Sequence, residues 1–314
     1  IMIDQNSKIY IAGHNGMVGS ACHRLFQLKG YKNLIFKTSK ELDLRNQIEV
    51  NSFFEEQKPD AVIIAAARVG GIHANDIYGY DFLIDNLQIQ NNLITASEKN
   101  NVDKVVFLGS SCIYPKMAPQ PLKEEYLLTG SLEETNQWYA IAKIAGVKSI
   151  EALNKYKNKN YVSLMPTNLY GQNDNYDLNN SHVLPALIRK FHESKINNNS
   201  EVVLWGSGEP LREFLYVDDL AEAILFSLVN DLDSDLYNVG SGHEISINEL
   251  AIMIQQIIGH KGEIIWDKNK PNGTPRKILD SSKLLSIGWN PKFGLYEGIK
   301  KVYSHLEANQ FLFN

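Results

Sequence analysis

A doubly wound α/β fold, built on a parallel sheet and carrying a smaller C-terminal α/β lobe, is the architecture this 314-residue sequence predicts. Three observations carry that expectation. A β-rich run, Lys8 to Ala12, is followed by the glycine turn Gly13-His-Asn-Gly16-Met-Val-Gly19 and an apolar-periodic helix through Leu25, Phe26 and Leu28. Further apolar strands alternate with helical stretches at the spacing of βαβ units. The run Val105 to Leu108 delivers Gly109-Ser110 to the carboxyl end of the sheet, where ligands gather in open α/β folds.

Taken in order, the glycine turn lets the backbone approach an anion, and the helix after it offers unpaired N–H groups and the positive end of its dipole. This is the phosphate-binding opening of a Rossmann-type dinucleotide fold, which makes Gly13, Asn15, Gly16, Met17, Val18 and Gly19 candidate cofactor contacts. The second strand, Leu34 to Phe36, ends in Lys37-Thr-Ser39-Lys40, where an acid favours NAD and basic residues favour NADP. Lys37 and Lys40 lean toward NADP, although they also read as solvated loop lysines. Asp43, with Leu44 after it, is placed to meet the adenine edge. Asp60 to Ala67 reads as a buried strand whose small end, Ala65, Ala66 and Ala67, lets a cofactor lie against it. The helix from Tyr80 to Asn100 is rich in Asn and Gln yet keeps Leu83, Leu87, Leu93 and Ile94 for the sheet.

After the Val105 to Leu108 strand, Tyr139-Ala-Ile-Ala-Lys143 lies on a helix, Tyr161 to Met165 forms another strand, and Pro166-Thr167-Asn168-Leu169 follows at its end. Beyond Gly171 the alternation weakens. An Asn-rich loop, 174 to 181, precedes an apolar helix from Val183 to Phe191, and the chain leaves the sheet to build the lobe. Glu213 to Asp219 returns as a strand and helix start whose aspartates favour the helix N-terminus. Leu236 to Gly240 is a further strand, and Ser246 with Glu249 makes a capping box for the helix through Ile258. Residues 7–171 with about 213–240 are therefore expected to form the dinucleotide domain, and about 172–212 with 241–314 the substrate lobe.

Composition narrows the partners. The 31 basic and 36 acidic residues give a net charge of -5, which offers no general field for nucleic acid or an anionic membrane. No apolar run reaches the length of a spanning helix, and no charged-then-apolar signal peptide opens the sequence. Two cysteines, Cys22 and Cys112, make no disulfide framework and suit a reducing cytoplasm. No metal-ligand spacing stands out.

The chemistry centres on Tyr139 and Lys143. At i and i+4 they share one helix face, so an ammonium beside the phenol is expected to lower its pKa from about 10 toward working pH, as a proton-transferring tyrosine needs. Ser110 would hydrogen-bond the same substrate oxygen. Alone, this spacing also fits a solvated pair. Cys112 reads either as part of the site or as a small residue packed behind the loop, and His182 as a loop histidine.

In company these blocks resemble the extended short-chain dehydrogenase/reductases and, within them, the GDP-L-fucose synthase family. The resemblance runs nearly end to end: the glycine turn, Ala65 to Gly71, Leu108 to Pro115, Tyr139 to Lys143, Met165 to Gly171, Asn180-Ser-His182, and Trp205 to Gly208 with Arg212-Glu-Phe214. It implies an NADP(H)-dependent enzyme that reduces the C4 ketone of a GDP-4-keto-6-deoxy sugar and epimerises it at C3 and C5. Tyr139 would donate the proton, Ser110 hold the C4 oxygen and Lys143 bind the nicotinamide ribose. Cys112 and His182 would be the acid/base pair of epimerisation. Leu108, Pro166 to Leu169 and His182 would border the cofactor. Asn168, Lys190, Trp205, Arg212 and Asn272 would meet the substrate, and a homodimer is implied. Asn15 and Ser39 stand where relatives commonly carry arginines, which loads the NADPH preference onto Lys37 or Lys40, and Asn272 replaces a usual aspartate that touches substrate. The alternatives are a reductase without epimerisation, acting on a related GDP-4-keto sugar such as a 6-deoxyheptose of capsule or surface polysaccharide, and a non-catalytic dinucleotide sensor. A dehydratase would want an Asp-Glu pair where Ser111-Cys112 stands.

Overall fold

Strand β1 (Lys8–Ala12) is the second strand of a six-stranded sheet with order β2-β1-β3-β4-β5-β9, in a computed structural model that describes residues 3–70, 77–178, 180–270 and 272–311. Its partners are β2 (Asn33–Ile35), β3 (Ala61–Ile64), β4 (Lys104–Leu108), β5 (Val162–Pro166) and β9 (Leu236–Val239). Every pairing in it is parallel. The strand order reverses between β1 and β3, and such a switch point opens a crevice at the carboxyl ends of the strands.

The runs of apolar residues follow from burial on both faces. Ile9, Ile11, Ala61, Ile63, Val106 and Leu108 point to one core, covered by α1 (Met17–Leu28) and α6 (Val217–Val229). Tyr10, Ala12, Val62, Ile64, Val105 and Phe107 point to the other, beneath α2 (Gln47–Gln57), α3 (Gly79–Lys99) and α4 (Gln137–Lys157). The amides of α3 are explained by their partners. Asn86 exchanges hydrogen bonds with both backbone groups of Arg68, Gln90 donates to Ala142 O and Asn92 donates to Leu44 O. A helix whose inner face ties down loop backbone needs such side chains.

A third core forms around α5 (Val183–Ile196), α7 (Ile247–Ile258) and α9 (Leu295–Ala308). Two small sheets accompany it. One joins β6 (Asn168–Tyr170), β8 (Leu211–Tyr216), β10 (Glu244–Ser246) and β12 (Arg276–Lys277), and the other pairs β7 (Glu201–Trp205) with β11 (Glu263–Asp267). The short helix α8 (Ser282–Ser286) completes the order. The capping box is present at α7, with Ser246 Oγ accepting from Glu249 N at 3.1 Å.

Two expectations change. The run 60–67 is strand only to Ile64; Ala65 N still donates to Ala12 O at 3.0 Å, after which the chain turns away from the ladder toward the glycine turn. Asp219 does more than complement the α6 dipole: it is fully buried and accepts from Lys292 N and Phe293 N at 2.8 and 3.0 Å. Gly71, the last residue of one resemblance block, lies outside the described residues. Among the described residues no helix is long and apolar enough to cross a membrane.

Candidate active site

The glycine turn sits in the crevice between β1 and β3. Gly13 has φ +88°, and a Cβ there would lie 2.7 Å from Ala66 N. A Cβ on Gly19 would lie 2.1 Å from Gly13 O, so the third glycine lets α1 pack against the turn. Helix α1 starts at Gly16 with no side-chain cap and no acid in its first turn, leaving the amides of Met17, Val18 and Gly19 for an anion. Asn15 is exposed at the turn, and His14 stacks on Phe36 with ring centroids 4.7 Å apart. These residues fit a dinucleotide: the cradle is one that side chains would fill.

In the loop after β2 the lysines are unequal. Lys37 pairs with Glu41 at 3.8 Å, and Glu41 is held in turn by Thr38 N and Thr38 Oγ1. Ser39 and Lys40 are exposed. Asp43 accepts from Arg45 Nε and Nη2 at 3.0 Å each, and Leu44 packs on the core under α2. Replacing both Lys37 and Lys40 by Ala is expected to narrow the NADPH over NADH preference about tenfold, the effect of one lost charge-assisted contact of about 1.5 kcal/mol. Comparing kcat/KM for the two cofactors checks it; an unchanged ratio would refute the role.

At the carboxyl end of β4, Ser110 caps a 3₁₀ turn (Ser111–Ile113) and its Oγ accepts from Cys112 N at 3.4 Å. Lys143 is buried on α4 and its Nζ donates to Leu108 O at 2.8 Å. The ammonium lies 4.9 Å from the Phe107 ring centroid and 5.7 Å from that of Tyr139. Ser110, Cys112, Tyr139 and Lys143 therefore share one site. The expected depression of the tyrosine is not met, however. Burial, with Cys112 nearby, holds the Tyr139 phenol above its usual value, while the Lys143 ammonium is hydrogen-bonded to the Leu108 carbonyl.

Burial pushes Lys143 down to about 8. A lysine whose folded value lies below its unfolded one, about 10.4, costs stability at neutral pH, and that cost is relieved as pH rises between the two. Lys143→Met is expected to raise the midpoint of thermal unfolding at pH 7 while losing turnover, and the gap from wild type should close toward pH 10. A less stable variant at pH 7 would contradict this.

Pro166 and Thr167 are buried at the end of β5, and Thr167 Oγ1 and Asn168 Nδ2 both donate to Glu213 O. Leu169 packs on the core under α1. His182 begins α5 without capping it, and desolvation together with the positive charge of Lys277 lowers its pKa. Further out, Trp205 is 60% exposed and lies between two ammonium groups, Lys190 at 5.3 Å and Lys270 at 5.2 Å from its ring. Asn272 Oδ1 accepts from Ser207 N at 2.7 Å, fixing the loop after Trp205. Since the partner is a backbone donor, the oxygen of the amide must face it. Gly273 follows, where a Cβ would lie 3.3 Å from Arg212 Nη2. Among the described residues no cluster could hold a metal ion.

Three residues escaped the sequence reading. Lys277 faces Arg212 across β12 and β8 and lines one pocket with Cys112. Lys270 covers Trp205. Glu213, fully buried, accepts from Gly242 N and Leu279 N and so holds β12 in place. An acid set directly before the apolar run Phe214-Leu-Tyr, within one strand, was the available signal for Glu213; nothing local marked the two lysines.

A parallel sheet that carries a glycine turn together with a serine, a tyrosine and a lysine at the carboxyl ends of its strands defines a dinucleotide-dependent short-chain dehydrogenase/reductase. The sequence matches the NAD dependent epimerase/dehydratase family over residues 9–240. It is 55% identical to GDP-L-fucose synthase 1 of Arabidopsis thaliana over 96% of this chain and 94% of that protein, and 46% identical to GDP-L-fucose synthase of Escherichia coli over 96% and 97%. A GDP-mannoheptose C4 reductase from Campylobacter jejuni, solved with NADP bound, is 40% identical with a TM-score of 0.90, covering 97% of this chain and 99% of that one. The chain belongs to the NAD dependent epimerase/dehydratase family and, within it, to the GDP-L-fucose synthase family.

Proposed function

We propose that this enzyme reduces the C4 ketone of a GDP-4-keto-6-deoxy sugar with NADPH and epimerises the same sugar at C3 and C5. The observation that carries the reading is one continuous run of groups. Tyr139, Lys143 and Cys112 meet at the carboxyl end of β4, Lys277 lines the same pocket as Cys112, Arg212 lies beside Lys277, and Gly273, Asn272 and the Trp205 loop continue outward. A ketone, a diphosphate and a base would be met in that order.

The glycine turn, with Lys37 and Lys40 at the 2'-position, Asp43 and Leu44 near the adenine, and Ala65 to Ala67, Leu108 and Pro166 to Leu169 beside the nicotinamide half, would hold NADPH, which when bound supplies the hydride. Ser110 holds the C4 oxygen, and Tyr139 gives it a proton as negative charge develops. Lys143 supplies positive charge beside the phenol. Cys112 and His182 exchange protons at C3 and C5. Arg212 suits the diphosphate, while Trp205 and Lys190 suit the guanine. Residues 7–171 with about 213–240 would form the cofactor domain, the remainder the sugar-nucleotide lobe. Homodimerisation through helices such as α4, whose exposed Ile141 and Tyr156 offer apolar surface, a cytoplasmic setting and a role in capsule or surface polysaccharide belong to the same reading.

A reductase acting without epimerisation on a GDP-4-keto heptose is the second reading. It is favoured by the likeness to the Campylobacter heptose reductase and by Asn272, whose oxygen is committed to Ser207. Incubation with NADPH and GDP-4-keto-6-deoxy-mannose, followed by NMR of the product, separates them. GDP-L-fucose is the expected product. A C4-reduced sugar with unchanged C3 and C5 would select the second reading, and no NADPH oxidation with either sugar would reject both.

A further inference from the structure

Lys277 occupies a place that the proton-transfer scheme leaves unexplained. It is the last residue of β12, in parallel register with Arg212 of β8, and the two residues that follow it are held by side chains. Gln120 Oε1 accepts from Ile278 N at 2.9 Å and the buried Glu213 carboxylate accepts from Leu279 N at 3.0 Å. The side chain is thereby directed into the polar pocket it shares with Cys112, Glu133 and Asn136. Its ammonium bears on four groups from four elements: Cys112 after β4, His182 at the start of α5, Arg212 on β8 and Glu133 before α4. The thiol is faced also by Lys143 and Ser110, and by Tyr139, whose phenol feels the sulfur.

We propose that Lys277 is a positioning residue for proton transfer at the sugar ring, its ammonium favouring the Cys112 thiolate as base and making a protonated His182 give up its proton more readily. This rests on the epimerisation reading above. One cation serves both tasks because it stabilises the thiolate and, by disfavouring a second cation, makes the imidazolium a stronger acid. In the step, the Cys112 sulfur takes the proton from C3 or C5 and becomes a thiol, and the C–H electron pair moves into the C4 carbonyl to give an enolate. His182 then returns its N–H proton to the opposite face of the same carbon as the enolate reverts to the ketone. The pair is left as thiol and neutral imidazole, and exchange with solvent resets it.

Two readouts test the proposal in the full-length enzyme. Alkylation by iodoacetamide reports the Cys112 thiolate, since Cys22 is completely buried. In Lys277→Met alkylation near neutral pH should slow about tenfold, the effect of losing a nearby cation, with its pH profile displaced upward; Lys277→Arg should restore it. Deuterium uptake at C3 and C5 from D2O should slow in parallel and recover with Arg. An alkylation profile that superimposes on wild type overturns the proposal. A displaced profile in an enzyme whose wild type exchanges no deuterium overturns the epimerisation reading, and with it the role in proton transfer. Should Lys277→Met fail to fold, Lys277→Gln carries the same measurements, because it keeps a polar side chain and removes only the charge.

Discussion

Tyr139→Phe is expected to cut turnover of a GDP-4-keto sugar by about 10² to 10⁴, the range for loss of a positioned acid. The substitution removes one oxygen and keeps the ring, which stands 5.7 Å from the Lys143 ammonium and packs at the start of α4. Cofactor binding should therefore persist, since the glycine turn and the Lys143 bond to Leu108 O do not involve the phenol oxygen. A phenol held above its usual value is a poor base at neutral pH but remains protonated, which is the state a donor must start from. Steady-state turnover together with an NADPH binding titration checks this. Near-wild-type turnover would remove Tyr139 from the mechanism, and joint loss of turnover and NADPH binding would make its role structural.

Cys112→Ser and His182→Asn should each abolish deuterium uptake at C3 and C5 from D2O, whereas Tyr139→Phe should leave uptake measurable. Exchange needs only enolisation beside the C4 carbonyl, which Ser110 can assist by hydrogen bonding. Hydride transfer needs a donor as well. Burial keeps the Cys112 thiol above its ordinary value despite Lys277 and Lys143, and His182 is lowered, so exchange should accelerate as pH rises and more thiolate forms. NMR of the recovered sugar gives the answer. A wild type that exchanges at neither carbon would assign the protein to reduction alone.

Most of the sheet was legible because its signals are local. Two-sided burial forces continuous apolar runs such as Val105 to Leu108, and the glycine turn is contiguous in sequence. The Ser110, Tyr139 and Lys143 group was legible for a related reason: strand end and helix face fix their meeting. Cys112 and His182 could not be paired from spacing, and only the resemblance joined them. Lys277 was invisible because a two-residue strand carries no periodicity and its place is set by Glu213, 66 residues away along the chain in its bond to Leu279. The misjudged phenol has a different origin. Helical spacing sets the neighbour of Tyr139 but not its solvation, and here desolvation raises the phenol.

The sixth strand of the main sheet and one of the helices that cover it are made late. β9 pairs with β5, and α6 supplies Leu220, Ala221, Ile224 and Leu228 to the core beneath β1, β3 and β4. When a ribosome has completed residue 171, that apolar face has only α1 to cover it. The missing pieces arrive only with residue 239, after roughly 3 to 14 s of synthesis at about 5–20 residues per second. Through that interval the nascent chain presents a sticky, half-clad sheet, so its yield in a cell should depend on chaperone supply more steeply than its final stability would suggest.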